Sequence, residues 1–300
     1  MTTVPMPVQR DALLSAYLDA CETELRAFKP GNVSVYSEAH DMTVEDFRRS
    51  AAASGPFLCD PALSLGERIY HATRATRAVV PCNTNLGIIL LAAPLLQAAQ
   101  TIHEDETLRA ALRRVLLATT QVDADWAYKA IRLAQPGGLG EAPEQDVRDT
   151  PQVTLLEAMR ISEHRDRIAY QYTNSFVDIF EFAIPSYHRN LSQWGDKEWS
   201  AVAVFAGLLK RIPDSHVERK FGARYTRMIA SRMTQIDQAL SVSDRPEQVM
   251  PLLREVDAEF KSCGINPGTT ADLTVACLLA VRLETLLSQC QLKTGRFREA

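Results

Sequence analysis

From Leu86 to Ala99 the chain reads LGIILLAAPLLQAA, a helix-length run that is apolar on every face. A helix without a polar face has nothing to show to water and belongs at the centre of a bundle. The run falls short of the roughly 20 residues that span a bilayer, and Pro94 interrupts it, so it reads as a core helix. It is entered through the polar loop Cys82-Asn83-Thr84-Asn85, which sets amide and hydroxyl groups beside the helix's unpaired N-terminal N–H groups. Two readings follow: an anion site at the helix N-terminus, or a simple cap supplied by Asn83 or Asn85.

The rest of the chain supplies helices to surround that rod. Leu13, Leu14, Tyr17, Leu18, Cys21, Leu25 and Phe28 recur at helical spacing over 9–28, and Lys29-Pro30-Gly31 stops them. Thr43 with Asp46 and Ser64 with Glu67 read as capping boxes opening two more helices, the second exposing Arg68, Arg74 and Arg77. Further helices are expected around Leu108–Leu116 and Trp126–Ala134, then over 154–162, 166–183, 198–209, 225–240, 249–260 and 270–291. Thr269 with Asp272 makes a third capping box at the start of the last one. No stretch alternates as a strand does, and no repeat of fixed period is present. The expectation is an all-α chain of about ten to fourteen helices, one domain over 1–300, packed around one buried helix.

Composition narrows the partners. A net charge of -4 and a pI near 5.9 give no global basic field, and no local patch suggests nucleic acid. The six cysteines show no CxxC pairing and read as reduced thiols of a cytoplasmic protein. MTTVPMPVQRD lacks the basic-then-apolar pattern of a secretory signal. The expected partner is a small molecule, with no nucleic acid and no membrane. A homo-oligomer is allowed, though periodicity marks no face for one. The longest loop, 136–151, carries Gly137, Gly138, Gly140 and Glu141, and its length suggests a functional role.

Five polar segments, in order, carry a resemblance. They are Lys29-Pro30-Gly31-Asn32-Val33, Asn83-Thr84-Asn85-Leu86-Gly87, Gly138-Leu139-Gly140-Glu141-Ala142, Asp214-Ser215-His216-Val217 with Arg219, and Asn266-Pro267-Gly268-Thr269-Thr270-Ala271-Asp272-Leu273. Together they resemble the triphosphoribosyl-dephospho-CoA synthase family, which carries KPG, NTxxG, GxxGEA, DTxxxxR and SPGGSADL in that order. The resemblance implies an all-helical transferase with ATP as ribosyl donor. The 2'-hydroxyl of dephospho-CoA attacks the anomeric carbon, adenine leaves, and the triphosphate stays on the sugar. Such a step needs a carboxylate near the oxocarbenium-like sugar, a base for the hydroxyl proton and a donor for departing adenine. It also needs cations, loop N–H groups and Mg2+ for the triphosphate.

On that resemblance, Lys29, Arg219 and Lys220 are candidate phosphate contacts, beside the alternative of solvated charges at helix ends. Asn83, Thr84 and Asn85 are candidates for phosphate or ribose oxygens, with Gly31, Asn32, Gly87, Asn266, Gly268 and Thr269 in the same nucleotide-binding set. Asp214 and Glu141 are candidates for metal ligation or for the base, against a cap and a solvated loop acid. Asp272 is a candidate metal ligand that its capping box would equally explain, and His40-Asp41 echo a family HxDM element that makes Asp41 a catalytic candidate. No zinc site is indicated.

The chain departs from the family where Asn85-Leu86 stand in place of the His-Lys of NTHKG. That form looks like a divergent branch linked to tetrahydromethanopterin or methylofuran one-carbon metabolism. The alternatives are therefore an enzyme of one-carbon cofactor biosynthesis acting on another phosphorylated substrate, a non-catalytic nucleotide-binding helical protein, or a hydrolase of N-glycosidic bonds.

Overall fold

The computed structural model describes residues 8–38, 42–135, 147 and 149–296, with side chains to residue 290. Among them every regular element is helical, and the one β-bridge joins Ser34 to Ser37. In chain order the helices are α1 (Arg10–Arg26), α2 (Val44–Leu58), α3 (Leu65–Val79), α4 (Leu86–Thr101), α5 (Leu108–Leu117), α6 (Gln121–Ala134) and α7 (Leu155–Ser162). They continue with α8 (Arg167–Thr173), α9 (Ile184–Trp194), α10 (Lys197–Arg211), α11 (Ser215–Phe221), α12 (Thr226–Ser241), α13 (Met250–Ser262) and α14 (Gly268–Arg296).

The apolar run is α4, and twelve of its sixteen residues are buried. Each Leu or Ile withdrawn from water there contributes about 1.5–3 kcal/mol before conformational entropy is subtracted. Pro94 does not break the helix. Proline cannot donate to the carbonyl four residues back, which is Leu90, and the Tyr172 hydroxyl donates to that oxygen at 2.6 Å instead.

A second helix shares the centre. α14 packs against α1, α4, α10 and α11, and its segment Gly268–Cys290 is, among the described residues, the helix long and apolar enough to cross a membrane. Most of that segment is buried inside the bundle, which accounts for its composition. Most of the buried apolar residues form one cluster that runs from Val8 to Leu287.

Four expectations are corrected. Arg68 is buried rather than exposed, because its guanidinium donates to the carbonyls of Leu63 and Leu58 at the end of α2. The helix expected over 166–183 breaks after α8, where Ser175 and Phe176 take left-handed backbone angles, and resumes as a π-helix at Asp178–Ala183. Pro185 does not end that segment but sits in the first turn of α9, where a missing N–H costs nothing. The Thr269–Asp272 capping box does not form: α14 begins at Gly268, and the Thr269 hydroxyl accepts from the His216 N–H at 3.2 Å.

Candidate functional site

A cavity of about 290 Å³ opens at the N-terminal end of α4. That is near the lower edge of the roughly 300–1,000 Å³ usual for small-molecule pockets. Four of the five segments marked in the sequence reach it: Asn32; Asn83, Thr84 and Gly87; His216 and Arg219; and Asn266, Gly268, Thr269 and Asp272. Its apolar side comes from Leu90, Tyr128, Ile131, Leu155, Met159 and Ile168. The fifth segment, with Glu141, lies outside the described residues, as do His40 and Asp41.

Lys29, Gly31 and Asn32 divide the work of the first loop. The Lys29 ammonium is fully buried, pairs with Glu24 Oε1 at 3.1 Å, and donates to the carbonyls of Glu24, Ala27 and Val33. Burial pushes the Lys29 pKa down and that of Glu24 up, and their pairing opposes both shifts. Lys29 therefore ties the loop to the end of α1 and is not among the lining residues, whereas Glu24 is. Gly31 has φ +82°, and a β-carbon there would come within 2.8 Å of the Ile265 carbonyl oxygen. Its N–H donates to Asp257 on α13 at 2.8 Å. This anchoring brings Asn32 into the lining, where its amide donates to Asn266 Oδ1 at 2.7 Å.

In the central loop Asn83 is the cap, its side-chain oxygen accepting the Leu86 N–H at 3.2 Å. Thr84 shares a 2.5 Å hydrogen bond with Ser50. Asn85 turns into the core, where its amide donates to Ser54 at 3.3 Å. Asn85 is thus neither the side-chain cap nor a lining residue.

Asp214 also faces inward. Its Oδ1 accepts the N–H groups of His216 and Val217, and its Oδ2 accepts both the N–H and the hydroxyl of Thr270 at 2.8 Å. The carboxylate thereby joins the start of α11 to the first turn of α14. Burial raises its pKa more than those hydrogen bonds lower it. Asp214 is not among the lining residues.

Asp272 differs from Asp214 in every respect that matters for a ligand. It faces the cavity, and among the described residues its carboxylate makes no hydrogen bond or ion pair. Enclosure by protein pushes its pKa well up, nearby Glu24 and Asp214 push it further, and Arg219 partly offsets them. The carboxyl group packs against Gly87 in the first turn of α4, where a β-carbon would stand 2.6 Å from Asp272 Cγ.

Arg219 Nη1 donates to Asp166 Oδ2 at 2.7 Å, and Asp166 Oδ1 caps α8 by accepting from Ile168 and Ala169. Lys220 is exposed, bonded to the Gly264 carbonyl at 3.4 Å and set over the Phe221 ring, away from the lining. Glu24, Arg165, Asp166, His216 and Tyr128 line the cavity without having been marked as site residues in the sequence. Two of them carried a readable signal: His216 sits inside the marked segment 214–217, and Asp166 is an acid at a helix start. Among the described residues no group of three or more His, Cys, Asp or Glu side chains gathers to hold a metal ion. Asp272 is still a fit for Mg2+, which keeps several waters and needs only one or two carboxylates.

An all-helical bundle that gathers distant polar loops at one end of a buried helix belongs here to the class of helical small-molecule transferases. The ATP:dephospho-CoA triphosphoribosyl transferase (CitG) model matches residues 10–291, and the chain belongs to that family. The same fold occurs in the crystal structure of the "putative triphosphoribosyl-dephospho-coA synthase" of Archaeoglobus fulgidus. That structure has a TM-score of 0.59 and 24% identity, and the match covers 77% of this chain and 96% of that one. No curated protein matches the chain.

Proposed function

We propose that this protein transfers the triphosphoribosyl group of ATP to the 2'-hydroxyl of dephospho-CoA or a related acceptor, with release of adenine. A new C–O bond forms at the anomeric carbon as the bond to adenine N9 breaks. The proton lost by the hydroxyl balances the one adenine gains. Asp272 carries the reading. Its carboxyl group faces the cavity and, among the described residues, makes no hydrogen bond or ion pair, so it is open to a sugar developing positive charge, which would favour its ionised form. The neighbouring Asn32 and Asn266 amides suit ribose hydroxyls, and Arg219 suits a phosphate. Asp272 is also the residue that would hold Mg2+, whose contribution would be to neutralise triphosphate charge. Six free cysteines support a reducing, cytoplasmic setting.

Purified protein given Mg-ATP and dephospho-CoA is expected to release adenine in proportion to acceptor consumed. Adenine at background with dephospho-CoA would remove that acceptor, and the altered loop favours the second reading, a different phosphorylated substrate of one-carbon cofactor biosynthesis. Asn85 turned into the core, where the family motif has His, is the observation behind it.

A further inference from the structure

The turn between α7 and α8 presents a cation to the cavity. Arg165 lines the cavity from an exposed position, and among the described residues its guanidinium makes no hydrogen bond or ion pair. Its backbone is fixed, because the Arg165 and Asp166 N–H groups both donate to the Ser162 carbonyl, at 3.1 and 3.0 Å. The next residue, Asp166, grips Arg219, so two guanidinium groups border the same space. Arg219 carries a second, independent sign of a missing ligand: among the described residues its buried Nε has no acceptor. A buried donor left unpaired is a standing cost, and an arginine relieves it through two parallel hydrogen bonds to an oxyanion.

We propose that Arg165 and Arg219 form the seat of the polyphosphate chain of the nucleotide, with Arg165 the contact the family's sequence pattern does not mark. The assignment rests on reading the cavity as the ATP site. It also fixes how the ligand lies. The phosphates run toward the α7–α8 turn and α11, and the sugar lies toward Asp272. The base is directed to the apolar side near Tyr128 and Met159.

The test is calorimetric titration of the full chain with inorganic tripolyphosphate at low salt, which needs no turnover. Wild type is expected to bind, Arg165→Ala to bind about tenfold more weakly, and Arg165→Lys to recover part of the loss. Arg160→Ala, an exposed arginine on α7 outside the lining, is expected to match wild type. Because Arg165 is exposed and has no partner among the described residues, its removal is expected to leave the fold intact, which the melting temperature checks. Failure of wild type to bind tripolyphosphate, or equal binding by Arg165→Ala, overturns the proposal. Binding that depends on Arg165 without adenine release from Mg-ATP and dephospho-CoA would instead sink the reaction assignment and leave the phosphate seat standing.

Discussion

The carboxyl group of Asp272 occupies the space where residue 87 would carry a side chain. A β-carbon on Gly87 would stand 2.6 Å from Asp272 Cγ and 2.9 Å from Ile168 Cδ1. Glycine is thus required at the start of α4 for close approach, not for an unusual backbone angle. Gly87→Ala is expected to displace the carboxylate and lower kcat/KM by about tenfold or more. The helix should gain rather than lose intrinsic propensity, by up to about 1 kcal/mol. Adenine release measured beside chemical denaturation checks this, and a variant with unchanged kcat/KM would show that the carboxylate's position is immaterial.

Asp272→Asn separates function from stability. A carboxyl group whose folded pKa is raised is penalised once pH exceeds its unfolded value of 3.8, and the penalty grows up to the folded value. At pH 7 the neutral amide removes that penalty, so the variant is expected to melt at the same temperature or higher. Its turnover should fall by about a hundredfold, the scale of a lost transition-state electrostatic contact. A variant that is both inactive and destabilised would argue that Asp272 is structural.

Asp214 is expected to behave in the opposite way. Asp214→Ala leaves two N–H groups of α11 and two donors of Thr270 without their acceptor. The expected loss is about 2–4 kcal/mol, combining a cap with buried unsatisfied donors. Substrate KM in whatever fraction folds should change little. Full stability with abolished turnover would restore Asp214 as a catalytic group.

How far these roles could be read in advance depended on whether a residue's neighbours were close in the chain. The Thr43 and Ser64 capping boxes are made within four residues each, and α4 betrays its burial by composition alone. Thr269 and Asp272 have the same spacing, yet α14 starts two residues earlier than expected and their neighbours come from α11 and α4. Lys29 and Asp214 stood in the right motifs, but whether a side chain points to a cavity or to backbone carbonyls is decided by the packing of α1, α11 and α14. Arg165 had no local signal, since only the fold sets that turn beside Arg219.

Lys29 tests the same distinction between loop anchor and ligand contact. Lys29→Met removes a fully buried ammonium and leaves Glu24 enclosed without its partner at 3.1 Å. The expected cost is about 3–5 kcal/mol, the scale of breaking one side of a buried ion pair. Lys29→Met with Glu24→Gln should recover part of it, because the stranded charge is gone. Loss of tripolyphosphate binding in a variant of undiminished stability would instead make Lys29 a phosphate ligand.

Tyr172 and Pro94 make a pair whose coupling can be measured outright. Proline at 94 deprives the Leu90 carbonyl of its helical donor, and the Tyr172 hydroxyl replaces it at 2.6 Å in a fully enclosed position. Tyr172→Phe keeps the ring and strands the carbonyl, so it should cost about 1–3 kcal/mol. Pro94→Ala returns an N–H four residues beyond Leu90, giving that oxygen a second donor. In the Pro94→Ala background the Tyr172→Phe cost should therefore fall to less than half, because the carbonyl stays satisfied when the hydroxyl is gone. The four proteins form a double-mutant cycle, read by urea denaturation, whose coupling energy isolates this one contact. Equal costs in the two backgrounds would mean that Tyr172 stabilises α4 by ring packing alone, and that some other group answers the carbonyl that proline leaves open.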